Sequence, residues 1–342
     1  MKAMVYTGCE QLEIQELPKP QPGKGGVLLK IRACGICGSD VHGYLGLTGR
    51  RTPPMIMGHE FCGEVAELGE ETTRLKIGDR VAVYPVDYCG HCKMCRQGDV
   101  HLCLNKRAFG VLDVDGAFAE YISVPEKCCF CIADDIPDSA ASLMEPLAVA
   151  YRGVSHYGNF ENKTVLLVGT GTIGLLALAC VKMKNAAKII VSDLSDDRLK
   201  VAEKLGADVI INPGRENFND RLMAETDGEG VDVSIEAVGI EATVKQALDA
   251  LKLSGQAIWI GNNKPTITLN MQQIVTRELK VQGSFLYGLD EFKQVVELIN
   301  EKRIDVEALI SEEISLDQVP EYFEKLAYSP GNMVKVIMTD RQ

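Results

Sequence analysis

Hydrophobic and polar positions change rhythm near the middle of the chain. Up to about residue 150 the apolar residues come in short runs broken by Gly and Pro, as in GGVLLKIRACG, DRVAVYP and GAFAEYISVP. Such runs, rich in β-branched residues and bounded by turn formers, predict a β-rich region with few long helices. The first long helical pattern is SAASLMEPLAVAYRGVSHYG, residues 139–158. From residue 164 the apolar runs become near-continuous: TVLLVG, KIIVSD, ADVIIN, VDVSIEAV, GQAIWIG and ELKVQGSF. Helical or loop segments separate them, among them GLLALACVKMKN, DRLKVAEKLG and EATVKQALDALKLSG. Apolar strands alternating with helices predict a parallel sheet covered on both faces, and six of them fit a doubly wound dinucleotide-binding fold. After Phe285, DEFKQVVELINEKR predicts a helix and MVKVIMTD a last strand, a tail that could return to the first region.

A chain of 342 residues is too long for one ordinary core and points to two domains. The hydrophobic share of 46% and charged share of 25% are ordinary globular values. A net charge of −12 argues against nucleic acid or an anionic membrane as the main partner, and leaves small substrates open. No apolar run reaches the length of a membrane span, and the N-terminus carries no signal-peptide core. The expected compartment is the cytoplasm, where twelve cysteines read as thiols or metal ligands before disulfides.

The motif GTGTIG occupies residues 169–174, with Gly169, Gly171 and Gly174 at the GxGxxG positions and Ile173 inside it. It follows the strand-like TVLLV and opens a helical run. The glycines permit a tight turn and close backbone approach, and the helix N-terminus offers free N–H groups to a pyrophosphate. Asp193 ends the next strand-like run, nineteen residues past Gly174, where a carboxylate bonds the adenosine ribose hydroxyls and repels a 2′-phosphate. Arg198 stands near enough to reach the same ribose or the adenine. The expectation is NAD.

CGHCKMCRQGDVHLC places Cys89, Cys92, Cys95 and Cys103 in one loop with the pattern C-x2-C-x2-C-x7-C. A ferredoxin run would end in x3-C-P, so the spacing disfavours an iron–sulfur cluster. Four thiolates close a tetrahedron around Zn²⁺ and leave no open position, which braces a loop without activating anything. A second set is dispersed: Cys37 in CGICGSDVH, His59 and Glu60 in GHE, and Glu145 in MEPLAV. A thiolate, an imidazole and a carboxylate suit a zinc ion that keeps a position for water or substrate. Each signal alone is weak, and the residues by themselves do not assemble the set.

GHEFCGEV, the four-cysteine loop, MEPLAVA and the glycine loop occur in this order, and in them the chain resembles the zinc-containing medium-chain dehydrogenases over essentially its whole length. It looks most like the polyol branch, with sorbitol, galactitol-1-phosphate, butanediol and threonine dehydrogenases as neighbours. The resemblance implies an α/β protein. A GroES-like β-rich catalytic domain (residues 1–152 and 288–342) would carry two zinc ions, and a Rossmann NAD-binding domain (153–287) would be inserted in it. Cys37, His59 and either Glu60 or Glu145 would hold the catalytic zinc, and the other glutamate would hold the zinc-bound water. Cys89, Cys92, Cys95 and Cys103 would hold the structural one. Ser39 would take the substrate proton and pass it through the cofactor ribose to His42, while Asp40 would orient His59. The partners implied are a small alcohol or polyol and a second copy of the chain, as homodimer or homotetramer.

Two positions depart from the sorbitol pattern. The residue after His42 is Gly43, with Tyr44 one place later, where a substrate-contacting tyrosine is typical. In GSFLY an arginine usually precedes the tyrosine, but Leu286 precedes Tyr287. Tyr44 and Tyr287 remain expected substrate contacts, yet sorbitol itself is disfavoured. Adjacent Arg50 and Arg51 raise the alternative of a substrate carboxylate or phosphate, set against two solvated loop arginines. Rival functions are threonine or 2,3-butanediol oxidation and, from a different class, a non-catalytic NAD-binding homologue.

Overall fold

The computed structural model describes residues 1–340. The chain forms two compact units. Residues 1–145 with the segment from Gly288 onward make one, and Pro146–Tyr287 the other. The division falls in the first turn of the helix Met144–Ser155, several residues before position 152.

The first unit is built on a seven-stranded sheet. Its path runs Cys129–Cys131, Arg80–Val83, Glu60–Leu68, Gly26–Gly35, Lys335–Thr339, Ile310–Ile314, with Tyr121–Pro125 also paired to the Gly26–Gly35 strand. The last strand of the chain therefore lies against an early one, with Ile337 opposite Gly35 and Met338 opposite Cys34. Val27, Leu29, Phe61, Phe118 and Phe323 fill the core with at most 1% exposure. Each such side chain stabilises the unit by roughly 1.5–3 kcal/mol relative to exposure. Few helices interrupt this unit before Asp138, and the longest of them, Gly38–Tyr44, has seven residues.

The second unit is a six-stranded parallel sheet in the spatial order third, second, first, fourth, fifth, sixth. That order places the switch point between the strands Thr164–Val168 and Val231–Glu236, the crevice where doubly wound sheets bind nucleotides. One segment differs from the sequence expectation. LKLSG continues no helix: the helix Glu241–Asp249 stops, and the strand Leu251–Trp259 begins at once. Leu251 already pairs with Val231, and Ser254 takes a φ of +59°, which bends the strand away from helical geometry.

Candidate active site

Strand register builds the first cluster. Glu60 opens its strand directly opposite Gly35. A Cβ on Gly35 would lie 2.4 Å from a Glu60 carboxylate oxygen, so only glycine lets the carboxylate rest against that backbone. Two residues after Gly35 stands Cys37, and His59 immediately precedes Glu60. The ligating atoms of Cys37, His59 and Glu60 all lie within 4.8 Å of one another. Thiolate, imidazole and carboxylate at that spacing fit a zinc ion with a position left open. Glu145, 5% exposed in the first turn of its helix, does not join that group of three.

The helix Gly38–Tyr44 sorts its side chains by phase. Ser39 and His42, three residues apart on one face, are exposed and half-buried, whereas Asp40, Val41 and Tyr44 point inward. Ser39 donates to Cys37 Sγ at 3.4 Å, which puts its hydroxyl beside the cluster. Asp40 is fully buried. One of its oxygens accepts the Cys37 N–H at 3.3 Å, and the other stands 3.3 Å from His59 Nδ1, though the ring is not aligned for a full hydrogen bond. Burial raises the Asp40 pKa, but the charges of His59 and Arg51 outweigh it and hold the carboxyl at about 2. For His59 burial works downward, and Asp40 and Cys37 overcome it and push the imidazole well above its ordinary value. The Asp40 carboxylate beside the ring makes this a place that favours positive charge.

Two charged residues at this cluster were not expected there. Lys335, on the last strand, is 2% exposed; its ammonium pairs with Glu60 and donates to the Ile36 carbonyl at 3.0 Å. Burial lowers its pKa, while Glu60 and Cys37 raise it by more. Arg51 is the other, with its side chain 3% exposed and Nη2 2.6 Å from Asp40 Oδ1. The lysine in MVKVIMTD gave no signal beyond an odd charge inside an apolar strand.

The second cluster is local. Cys89, Cys92, Cys95 and Cys103 place their sulfurs within 4.8 Å of one another, with separations of 3.5 Å for Cys92–Cys95 and 3.9 Å for Cys89–Cys95 and Cys92–Cys103. A thiolate tetrahedron with Zn–S of ~2.3 Å has S···S edges of ~3.8 Å, which these distances match and which a disulfide does not. Backbone N–H groups of Cys92, Cys89 and Asn105 point at the sulfurs from 3.4 Å. The N–H groups of His91 and Cys92 bring the Cys89 thiol down to about 6.

In the second unit each motif glycine has its own reason. Gly169 takes φ +94°, and a Cβ there would meet Val238 at 2.4 Å. A Cβ on Gly174 would lie 1.9 Å from the Gly169 carbonyl oxygen, so helix and turn touch there. Gly171 faces open space, the gap a pyrophosphate would fill at the free N-terminus of the helix Thr172–Met183, on whose first turn Ile173 sits. Asp193 accepts the Thr170 N–H at 2.7 Å and the Ser195 N–H at 2.8 Å, which fixes its carboxylate against this loop. Ser195 caps the next helix by accepting the Arg198 N–H, and Arg198 Nε is buried without a hydrogen-bond partner.

The two tyrosines expected as substrate contacts are both buried: Tyr44 is 7% exposed, with its ring edge-on to Phe323 at 5.8 Å, and Tyr287 is 1% exposed at the end of the second unit. Of the two arginines, Arg51 is buried and paired with Asp40, and Arg50 is exposed.

Residues 172–301 match the family model described as zinc-binding dehydrogenase, and residues 23–134 that of the alcohol dehydrogenase GroES-like domain. Over 342 residues the chain is 33% identical to sorbitol dehydrogenase of Bacillus subtilis (strain 168), covering 99% of this chain and 97% of that one. The chain belongs to the zinc-binding alcohol dehydrogenase family. It is an oxidoreductase of the medium-chain type, with a GroES-like domain and a Rossmann domain. Another family relative is L-threonine 3-dehydrogenase of Pyrococcus horikoshii, 37% identical over 318 residues, 91% of each chain. Among solved family structures, a zinc-binding dehydrogenase from Sinorhizobium meliloti 1021 bound to NADP has a TM-score of 0.92 at 33% identity, covering 99% and 98% of the two chains. An alcohol dehydrogenase from E. coli CFT073 complexed with NADH has 0.93 at 31%, covering 99% of each. No helix among the described residues is long and apolar enough to cross a membrane.

Proposed function

We propose that the protein oxidises a secondary alcohol, a polyol or sugar alcohol, to the ketone, with NAD as hydride acceptor. The reading rests above all on Cys37, His59 and Glu60 meeting within 4.8 Å beside the Ser39 hydroxyl. Held by these three donors, zinc supplies Lewis acidity that makes a substrate hydroxyl easier to deprotonate. Ser39 accepts the hydroxyl proton, and His42, on the same helix face, returns it to solvent. Asp40, 3.3 Å from His59 Nδ1, biases the orientation of the ring. Glu60 lies within ligand reach but is paired with Lys335, and Glu145 is the other carboxylate proposed for the zinc.

NAD is proposed over NADP because Asp193 follows the second strand of the sheet, the position at which a carboxylate bonds ribose hydroxyls and repels a 2′-phosphate, and is held against the glycine loop. Asp193→Ser is expected to lower the NAD/NADP ratio of kcat/KM about tenfold or more. Two zinc ions per chain are proposed, one per cluster. The outer edge of the strand Lys280–Gly283, whose four residues are all exposed, supports pairing with a second copy.

The deciding experiment is a panel of polyols, sugar phosphates, diols and threonine with zinc-loaded protein and NAD, read by NADH absorbance. Oxidation of none of them removes the dehydrogenase reading. Preference for threonine would favour the second reading, which the 37% identity to a threonine dehydrogenase supports. A phosphorylated substrate would implicate Arg50, and its preference over the free polyol should then fall in Arg50→Ala.

A further inference from the structure

We propose that Arg51 is a positioning residue for the metal site, acting through Asp40 on the ligand His59. Asp40 Oδ1 is shared: Arg51 Nη2 donates to it at 2.6 Å, and His59 Nδ1 stands 3.3 Å away. Oδ2 accepts the Cys37 N–H. One buried carboxylate thus touches two of the three ligand residues and is anchored by one guanidinium.

The need for a cation there follows from the burial of Asp40. A fully buried carboxylate carries a large desolvation cost, which the single Cys37 N–H offsets only in part. Arg51 cannot lose its charge and donates to this carboxylate at 2.6 Å. It also points Oδ1 at the imidazole, which fixes ring orientation and ligand basicity.

Three further observations concern the setting of this arginine. Its segment is pinned by backbone bonds to Leu112, with Leu112 N–H to the Arg50 carbonyl at 2.8 Å and Thr52 N–H to the Leu112 carbonyl at 2.9 Å. Arg51 Nη1 folds back on the Arg50 carbonyl at 3.0 Å. Gly43 leaves room for the stem: a Cβ there would lie 2.6 Å from Arg51 Cγ, although Gly43 does not have a positive φ. The absence of a side chain at Gly43 thus gives steric space to the Arg51 stem.

The proposal rests on Cys37, His59 and Glu60 holding zinc, and its test separates the two claims. Zinc retention by the full-length protein is measured by competition with a chelator, and the zinc of the four-cysteine loop serves as internal control. Arg51→Met is expected to weaken the catalytic-site zinc ~10- to 100-fold while the loop zinc stays. Arg51→Lys should recover part of the loss, and Gly43→Ala should reproduce part of it by displacing the stem. In an Asp40→Asn background, Arg51→Met should add little. Unchanged zinc affinity in Arg51→Met, or a loss fully additive with Asp40→Asn, overturns the role of Arg51. A raised KM for anionic substrates alone, with zinc affinity intact, overturns it in favour of a substrate contact. If the unmodified protein binds zinc only at the four cysteines, the metal-site reading itself fails.

Discussion

The two candidate metal clusters, of four and three residues, are opposite in construction. The four cysteines come from fifteen consecutive residues, three of them are only partly buried, and their sulfurs are supported by N–H groups of the same loop. Cys37, His59 and Glu60 are framed by charges from elsewhere: Asp40 and Arg51 behind the imidazole, and Lys335, 275 residues away in sequence, on the carboxylate. A closed set of thiolates satisfies itself. A mixed set that keeps one position open leaves its ligands to be aimed by neighbours, and the neighbours must themselves be compensated because they are buried. Buried charge, rather than the number of cysteines, distinguishes the cluster proposed as the reactive centre.

The comparison is tested most severely by Cys37→Ser. Its kcat/KM should fall by roughly 10³-fold or more, several kcal/mol at about 1.4 kcal/mol per decade, with little change in melting temperature. Cys92→Ser should do the reverse: metal content falls by one, Tm drops by roughly 5 °C or more, and turnover per zinc-loaded molecule changes only a few-fold. Loss of hydride transfer in Cys92→Ser at unchanged stability would invert the two assignments.

Lys335→Met sharpens the contrast. It leaves the 1%-exposed Glu60 without its cation, and the zinc-free protein should lose about 3 kcal/mol by denaturant unfolding. Zinc loading should restore part of that loss, because the ion takes over the neutralising charge. The same stability loss with and without zinc would place Glu60 outside the metal's reach.

The smallest effect is expected away from both clusters. Glu126 accepts the N–H groups of Arg74 at 2.5 Å, Leu75 at 2.9 Å and Thr73 at 3.2 Å. Burial raises its pKa, and these donors bring it below the ordinary 4.5. A depressed carboxylate contributes stability above pH 4.5 and loses it as pH falls through the lower folded-state value. Glu126→Gln should therefore cost about 1 kcal/mol at neutral pH and flatten the acid limb of the stability curve, with zinc content and turnover unchanged. An unaltered acid limb would show that the loop does not depend on the ionised form.

Much of the architecture was legible in the sequence. Alternating apolar runs and helices gave the parallel sheet, because strands buried on both faces must be apolar throughout. GTGTIG and Asp193 announced a nucleotide loop, since their requirements are local. LKLSG reads as part of a helical or loop segment and is strand in the structure, because its apolar spacing suits either form and its pairing with Val231 lies outside the segment. Tyr44 was read from its place in a motif, while the phase of the short helix turned it to the core.

The sequence by itself determined the short-range parts of this protein: the cysteine clasp, the glycine turn with its acidic partner, and the Ser39–His42 spacing. Their geometry depends on neighbours within one turn or loop. Only the tertiary structure decided that Arg51 supports Asp40 instead of a substrate anion, that Gly43 is the space its stem requires, and that Lys335 reaches Glu60. Those three facts are electrostatic and steric contacts between segments distant in the chain, and such contacts follow from strand register and loop packing, which no single stretch of residues encodes.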